Sequence, residues 1–138
     1  MLIIDSNIWA YYFDRDALEH KFVVDMVEKA LTTGEIAINT VIIVEVAHFL
    51  IKNLGALTGM EKVDLFLSFP FTVVDLTYDL TLKAIEYSTR YFHLGIGGRD
   101  ATILATMEML GLNRIMTHDK AFKKVDWLKV MDPIPDRT

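Results

Sequence analysis

Four carboxylates stand where an acid could do more than solvate a surface: Asp5 in IIDSN, Glu45 in TVIIVEVAHFLI, Asp100 in GIGGRDATILAT and Asp119 in MTHDKAF. Three of them have a sufficient local explanation. Asp5 directly follows an apolar run, a place that suits a helix N-cap or an Asx-turn. Asp100 falls in the first turn of a helix, where the dipole favours an acid by about 0.3–1 kcal/mol. It also shares a helical face with Ile103, Leu104 and Met107, which turns it inward, and the glycines before it leave room for a close approach to the backbone. Asp119 can cap a short helix, and Thr117, two residues earlier on a strand, faces the same way. Glu45 resists such an explanation. Its helical neighbours include Val41, Ile42 and Phe49, and a carboxylate in that company loses hydration it must recover elsewhere. A solvent-facing stripe shared with His48, or a structural pair with Lys52, would account for it without any chemistry.

Taken as a set, the acids point to a cation. Carboxylates brought close together raise one another's pKa and cannot all stay ionised unaided. A divalent ion resolves that conflict. Oxygen donors, with no cysteine and no histidine pair at helical spacing, select Mg²⁺ or Mn²⁺ over Zn²⁺. Magnesium held by a few carboxylates and several waters typically serves phosphoryl chemistry.

The elements that must position these acids alternate between strand and helix. MLIID reads as a buried strand, and SNIWAYYFDRD and LEHKFVVDMVEKALTTG as helices broken near Asp14, Arg15 and Asp16, the second stopped by Gly34. EIAIN is a second strand. Thr40 is expected to cap a helix running to about Asn53, followed by a loop LGALTG and a short helix EKVDLFLSF ended by Pro70. FTVVDL is a third strand, and Thr77 caps the helix YDLTLKAIEYSTRYF. After the turn HLGIGG, the helix RDATILATMEMLG closes at Gly111. RIMTHD is a fourth strand, KAFKKV a short helix, and LKVMDP a final edge strand. This is an α/β pattern with a mainly parallel sheet of four to five strands flanked by helices. Ligands of such sheets bind beyond the carboxyl ends of the strands, which is where Asp5, Asp75 and Asp119 fall. Asp75, in VDLT, is read as a turn acid and left out of the site.

The totals agree with one domain over residues 1–138, with 52% apolar and 24% charged residues. A net charge of −5 and a pI near 5.3 argue against a general electrostatic grip on nucleic acid, though not against a local one. There is no cysteine, hence no disulfide and no thiolate metal site. The amino terminus lacks the basic segment of a signal peptide, and no apolar run is long enough to span a membrane, so a cytoplasmic location is expected. The aromatic run Trp9, Tyr11, Tyr12 and Phe13 reads as core. His20 and His93 read as surface positions, and His118 as a strand-end residue facing away from Asp119.

Together IIDSN, Glu45 in its apolar helix, GGRDATILATMEMLG and IMTHDKAF resemble the PIN domains, and among them the VapC-type ribonuclease toxins of toxin–antitoxin pairs. The resemblance runs from Leu2 to about Met131. It implies a three-layer fold and a metal-dependent endoribonuclease active with Mg²⁺ or Mn²⁺. Asp5, Glu45, Asp100 and Asp119 match its four acids, which serve as catalytic residues and metal ligands, and Asn7 and Thr117 match the polar positions that support them. Phe122 matches a core anchor. It further implies an RNA substrate, a homodimer and a small antitoxin that occludes the site. Arg99 and Lys120 are the nearest cations on offer to RNA phosphates. Two readings from other classes compete. A phospho-accepting receiver-like module would use Asp75 and Thr117, and a non-catalytic scaffold of the same fold would use the acids only for a structural ion.

Overall fold

The computed structural model of the chain describes residues 1–136. Strands β1 (Leu2–Ile4), β2 (Ile36–Asn39), β3 (Thr72–Val74), β4 (Arg114–Met116) and β5 (Lys129–Met131) form one sheet in the order β3-β2-β1-β4-β5. Every pairing is parallel, with Ile3 opposite Ala37 on one side and Ile115 on the other. The central strands are short apolar runs buried on both faces, as a helix-covered parallel sheet requires. Helices α1 (Ser6–Phe13), α2 (His20–Thr33), α3 (Thr40–Leu54), α4 (Ala56–Leu67), α5 (Tyr78–Arg90) and α6 (Gly98–Leu110) flank it. Helix α1 packs on α2 and α3, α3 on α4, and α5 on α6. Short 3-10 helices occupy Phe92–Leu94 and Lys120–Lys124. None of the helices among the described residues is long and apolar enough to cross a membrane.

Helix α3 carries Glu45, and its β-branched sequence would suit a strand. Two features decide for helix. Asn39 at the end of β2 caps it, its Oδ1 accepting from the Ile42 N–H at 2.8 Å, and Ile42, Val46 and Leu50 recur every four residues as its buried face. Burying those three side chains stabilises the packing by about 1.5–3 kcal/mol each. The cap is therefore Asn39 and not Thr40, whose hydroxyl instead accepts from the Leu76 N–H beyond β3. Asn39 is fully buried, and its amide nitrogen also reaches the hydroxyls of Thr102 and Thr106 on α6. One side chain thus ties the end of β2 to two helices.

Two other expectations change. The segment expected as a loop before Glu61 is helical from Ala56, because Gly59 sits directly against α3. A Cβ at Gly59 would lie 2.6 Å from the Ile51 Cα, so only glycine allows this approach of the two helices. The helix α6 does not have one buried stripe. Asp100 through Met107 are all buried, which makes α6 an interior helix covered by α5 and the sheet. Trp9 is fully buried amid Phe13, Phe66, Phe69 and Phe71, so the core reading of the aromatic run holds for Trp9 and Phe13, while Tyr11 and Tyr12 are half-buried. His93 is exposed, but His20 is half-buried, with its Nδ1 2.9 Å from the Tyr11 carbonyl oxygen.

Candidate functional site

The strand order reverses at β1, with β2 on one side and β4 on the other. The crevice beyond the carboxyl ends of β1 and β4 is the topological switch point of the sheet. Asp5 stands there immediately after β1, its backbone N–H bonded to the Met116 carbonyl at 2.9 Å. Its side chain is fully buried, so an uncompensated charge would be costly. It is compensated on every side. Oδ1 accepts from the Ser6 N–H at 2.7 Å, which makes Asp5 the N-cap of α1, and Oδ2 accepts from the Thr117 hydroxyl at 2.7 Å. The Arg99 guanidinium donates to Oδ1 at 2.9 Å.

Arg99 organises the remainder. The same Nη1 donates to Glu45 Oε1 at 3.0 Å, and Nη2 pairs with Asp100 Oδ1 at 2.7 Å. Asp5 after β1, Glu45 in the middle of α3 and Asp100 in the first turn of α6 therefore meet at one cation. Glu45 makes no pair with Lys52, and its side chain is 26% exposed. Burial raises its pKa, against the pull of Arg99 in the other direction. Burial likewise pushes Asp100 up to about 6, with Arg99 opposing and the charges of Asp119 and Asp5 adding to the rise. Arg99 is raised as well: burial acts to lower it, but Asp5, Asp100 and Glu45 outweigh that.

Asp119 lies outside the ion-pair network, although its charge reaches Asp100. Its carboxylate caps the short helix that follows, accepting from the Ala121 N–H at 2.9 Å. The fully buried Thr117 hydroxyl does not bond that carboxylate. It donates to Asp5 and accepts from the Asp119 backbone N–H at 3.0 Å, so it positions the first acid and the backbone of the last. Asn7 makes no side-chain hydrogen bond to the acids: its Oδ1 is buried without a hydrogen-bond partner, and it lines a small cavity with Ala10, Tyr11, Phe49 and Asn53. His118 is held by Asp132, with Nδ1 2.9 Å from Oδ2, and Lys123 pairs with the same carboxylate. Asp75 is exposed at the end of β3, an edge strand, which removes the central acid that a receiver-like module needs.

Among the described residues, no three acids or histidines converge closely enough to hold a metal ion as they stand. The donor set nevertheless suits a cation. Three carboxylates face one guanidinium and the charge of a fourth, Asp119, reaches Asp100; all the donors are oxygens, and a positive group already sits where the three meet. The sequence offered Arg99 only as a phosphate contact. The available signal was its position beside Asp100 in the first turn of a helix, where the dipole disfavours a cation and some stronger attraction must hold it.

The fold is similar to those of solved toxin–antitoxin proteins. The sarcin–ricin loop cleaving toxin VapC20 of Mycobacterium tuberculosis superposes with a TM-score of 0.75 at 18% identity, over 89% of this chain and 93% of that one. A chain of VapBC2 from Rickettsia felis, solved on a promoter DNA fragment, gives 0.72 at 20% identity over 95% of this chain and 97% of its own. A chain of FitAcB from Neisseria gonorrhoeae gives 0.66 at 17% identity over 96% and 98%. No curated relative matches the sequence. At these identities the superpositions speak for the fold alone, but the PIN domain family model matches residues 2–128, nearly the whole chain. An acidic switch point on a five-stranded parallel sheet and a family match of that extent lead to one conclusion: this chain belongs to the PIN-domain family.

Proposed function

We propose that the chain is a metal-dependent endoribonuclease that hydrolyses RNA phosphodiester bonds, and that it is the toxin of a toxin–antitoxin pair. The observation that carries this reading is the meeting of Asp5, Glu45 and Asp100, from three separate elements, around one cation at the switch point of the sheet. Asp5, Asp100 and Asp119 would hold Mg²⁺ or Mn²⁺, and Glu45 would complete the oxygen shell or orient the attacking water. When bound, such a cation supplies Lewis acidity for attack of water on phosphorus and offsets the charge that develops there.

The protein's own groups have distinct tasks in this scheme. The Thr117 hydroxyl and the Ser6 N–H fix the Asp5 carboxylate, so it is presented in one orientation without a reorganisation cost. Glu45 is partly exposed on the rim, with a raised affinity for protons, which suits a group that takes a proton from water. Asp100, pushed up to about 6, holds its charge with difficulty until more positive charge arrives. Attack in line with the leaving 3′-oxygen would leave 5′-phosphate and 3′-hydroxyl ends.

That VapC20 is a toxin cleaving the sarcin–ricin loop supports an RNA substrate, and the toxin–antitoxin complexes of similar fold support a small antitoxin partner. A homodimer acting in the cytoplasm completes the reading, and the exposed apolar residues Leu82, Ile85 and Phe92 near α5 are available to a partner surface. A non-catalytic scaffold is the competing reading, favoured by how fully Arg99 already satisfies three acids.

Incubation of antitoxin-free protein with RNA and Mn²⁺ separates the two. The wild type cleaves, and Asp5→Asn or Asp100→Asn lowers the rate by about 100-fold or more. Equal cleavage by wild type and both variants, or none by any of them, leaves the scaffold reading.

A further inference from the structure

Arg99 occupies an improbable position for a structural cation. It lies in the first turn of α6, at the positive end of the helix dipole. Its guanidinium is held there by Asp5, Glu45 and Asp100, at 2.9, 3.0 and 2.7 Å. Among the described residues no other cation pairs with any of these three acids. The arm is not sealed in, since 31% of its side chain is exposed while Asp5 beneath it is fully buried. Solvent therefore reaches the Arg99 side chain but not the Asp5 carboxylate it pairs with.

The charge balance is also incomplete. One positive charge faces three carboxylates, with Asp119 adding to the negative field on Asp100. A guanidinium is broad and planar, and it keeps Glu45 and Asp5 on one nitrogen and Asp100 on the other. A compact divalent ion carries twice the charge and would draw the same oxygens inward. The guanidinium occupies one oxygen of each of the three acids, so a divalent ion drawing those same oxygens inward competes with it for them. The long, partly exposed Arg99 side chain has an exit toward solvent, whereas Asp5 is fully buried and fixed by the Ser6 N–H and the Thr117 hydroxyl.

We propose that Arg99 is a resident counter-cation that a divalent ion displaces from the acids, so that this one residue sets how tightly the protein holds its metal. The proposal rests on the metal-site reading given above, and it concerns Arg99 alone. In the metal-free protein Arg99 offsets part of the cluster's charge and holds the three acids together. Its release is a cost subtracted from every metal-binding event.

The test is calorimetric titration of chelator-stripped, full-length protein with Mn²⁺, comparing wild type, Arg99→Gln, Arg99→Lys and Asp5→Asn. Arg99→Gln binds Mn²⁺ roughly tenfold tighter than wild type. Its metal-free form melts at a lower temperature, and saturating Mn²⁺ restores the loss. Arg99→Lys lies between the two, since it keeps the charge but not the fork. On the wild type, nitrogen-resolved NMR of the Arg99 side chain shows its signal move with added Mg²⁺ and return with chelator. Equal or weaker Mn²⁺ binding by Arg99→Gln, with binding abolished in Asp5→Asn, makes Arg99 a fixed staple and overturns the proposal while leaving the metal site standing. Absence of binding in both wild type and Arg99→Gln overturns the metal site and the proposal together. If Arg99→Gln does not fold, an Arg99 signal unmoved at a Mg²⁺ concentration that shifts the neighbouring amide signals overturns it.

Discussion

Asp100 sits at the start of α6 with a carboxyl pushed up to about 6 by burial, and this has a thermodynamic consequence. A carboxyl with a folded pKa above its unfolded value stabilises the protein most at low pH, where both states are protonated. That contribution is lost as pH rises from about 4 through about 6. Glu45 is shifted in the same direction. In chelator, the melting temperature of the wild type should therefore carry a downward contribution across that interval, and Asp100→Asn should show a visibly shallower decline. Identical pH profiles for the two proteins would contradict the burial argument. The sequence marked Asp5, Glu45 and Asp100 because a carboxylate after an apolar strand, inside an apolar helix or beside a core face has a hydration problem that residue type and spacing already state. It did not mark how Arg99 answers that problem. A side chain with four rotatable bonds reaches many places from one backbone position, and only the packed neighbours choose among them. The Thr117 hydroxyl illustrates the same limit. Its strand position promised a partner acid, and the three-dimensional register of β1 against β4 made that partner Asp5 and not Asp119.

At the scale of elements, the pairing of α3 with α4 holds Glu45 in place. Gly59 lets the two helices touch, and an added Cβ would meet the Leu50 carbonyl oxygen at 2.7 Å as well as the Ile51 Cα. Both are backbone atoms that cannot rotate away. Gly59→Ala is expected to destabilise the protein by about 1–3 kcal/mol, although alanine is the better helix former, and urea denaturation measures it. An unchanged or raised urea midpoint would show that α4 can shift freely. The misplaced start of α4 has the same origin. The segment LGALTG reads as a loop because glycine is unfavourable within a helix, and a contact with another helix that requires glycine there is not written in the local sequence. The N-cap of α3 moved by one residue for a related reason. Thr40 and Asn39 are both good caps by type, and the amide that also bonds Thr102 and Thr106 belongs to Asn39.

For the whole molecule, charge constrains how RNA can be held. With a net charge of −5 and a pI near 5.3, the surface offers few phosphate contacts. Binding of a non-cleavable RNA analogue should weaken only gently with salt, with a log–log slope of about −2 or shallower, as measured by fluorescence anisotropy. A steep slope would reveal a basic surface supplied by a second copy or by a rearrangement. By itself, the sequence determined the alternation of strands and helices, the buried character of the central strands and which acids were out of place, because these follow from periodicity and from the cost of burying charge. The tertiary structure decided that β1 lies between β2 and β4, that three of those acids meet there, and that the cation between them is Arg99. Those outcomes depend on contacts between residues far apart in the chain. Asp5 and Arg99 are 94 positions apart, and no local pattern records which distant partner a folded backbone will bring within 3 Å.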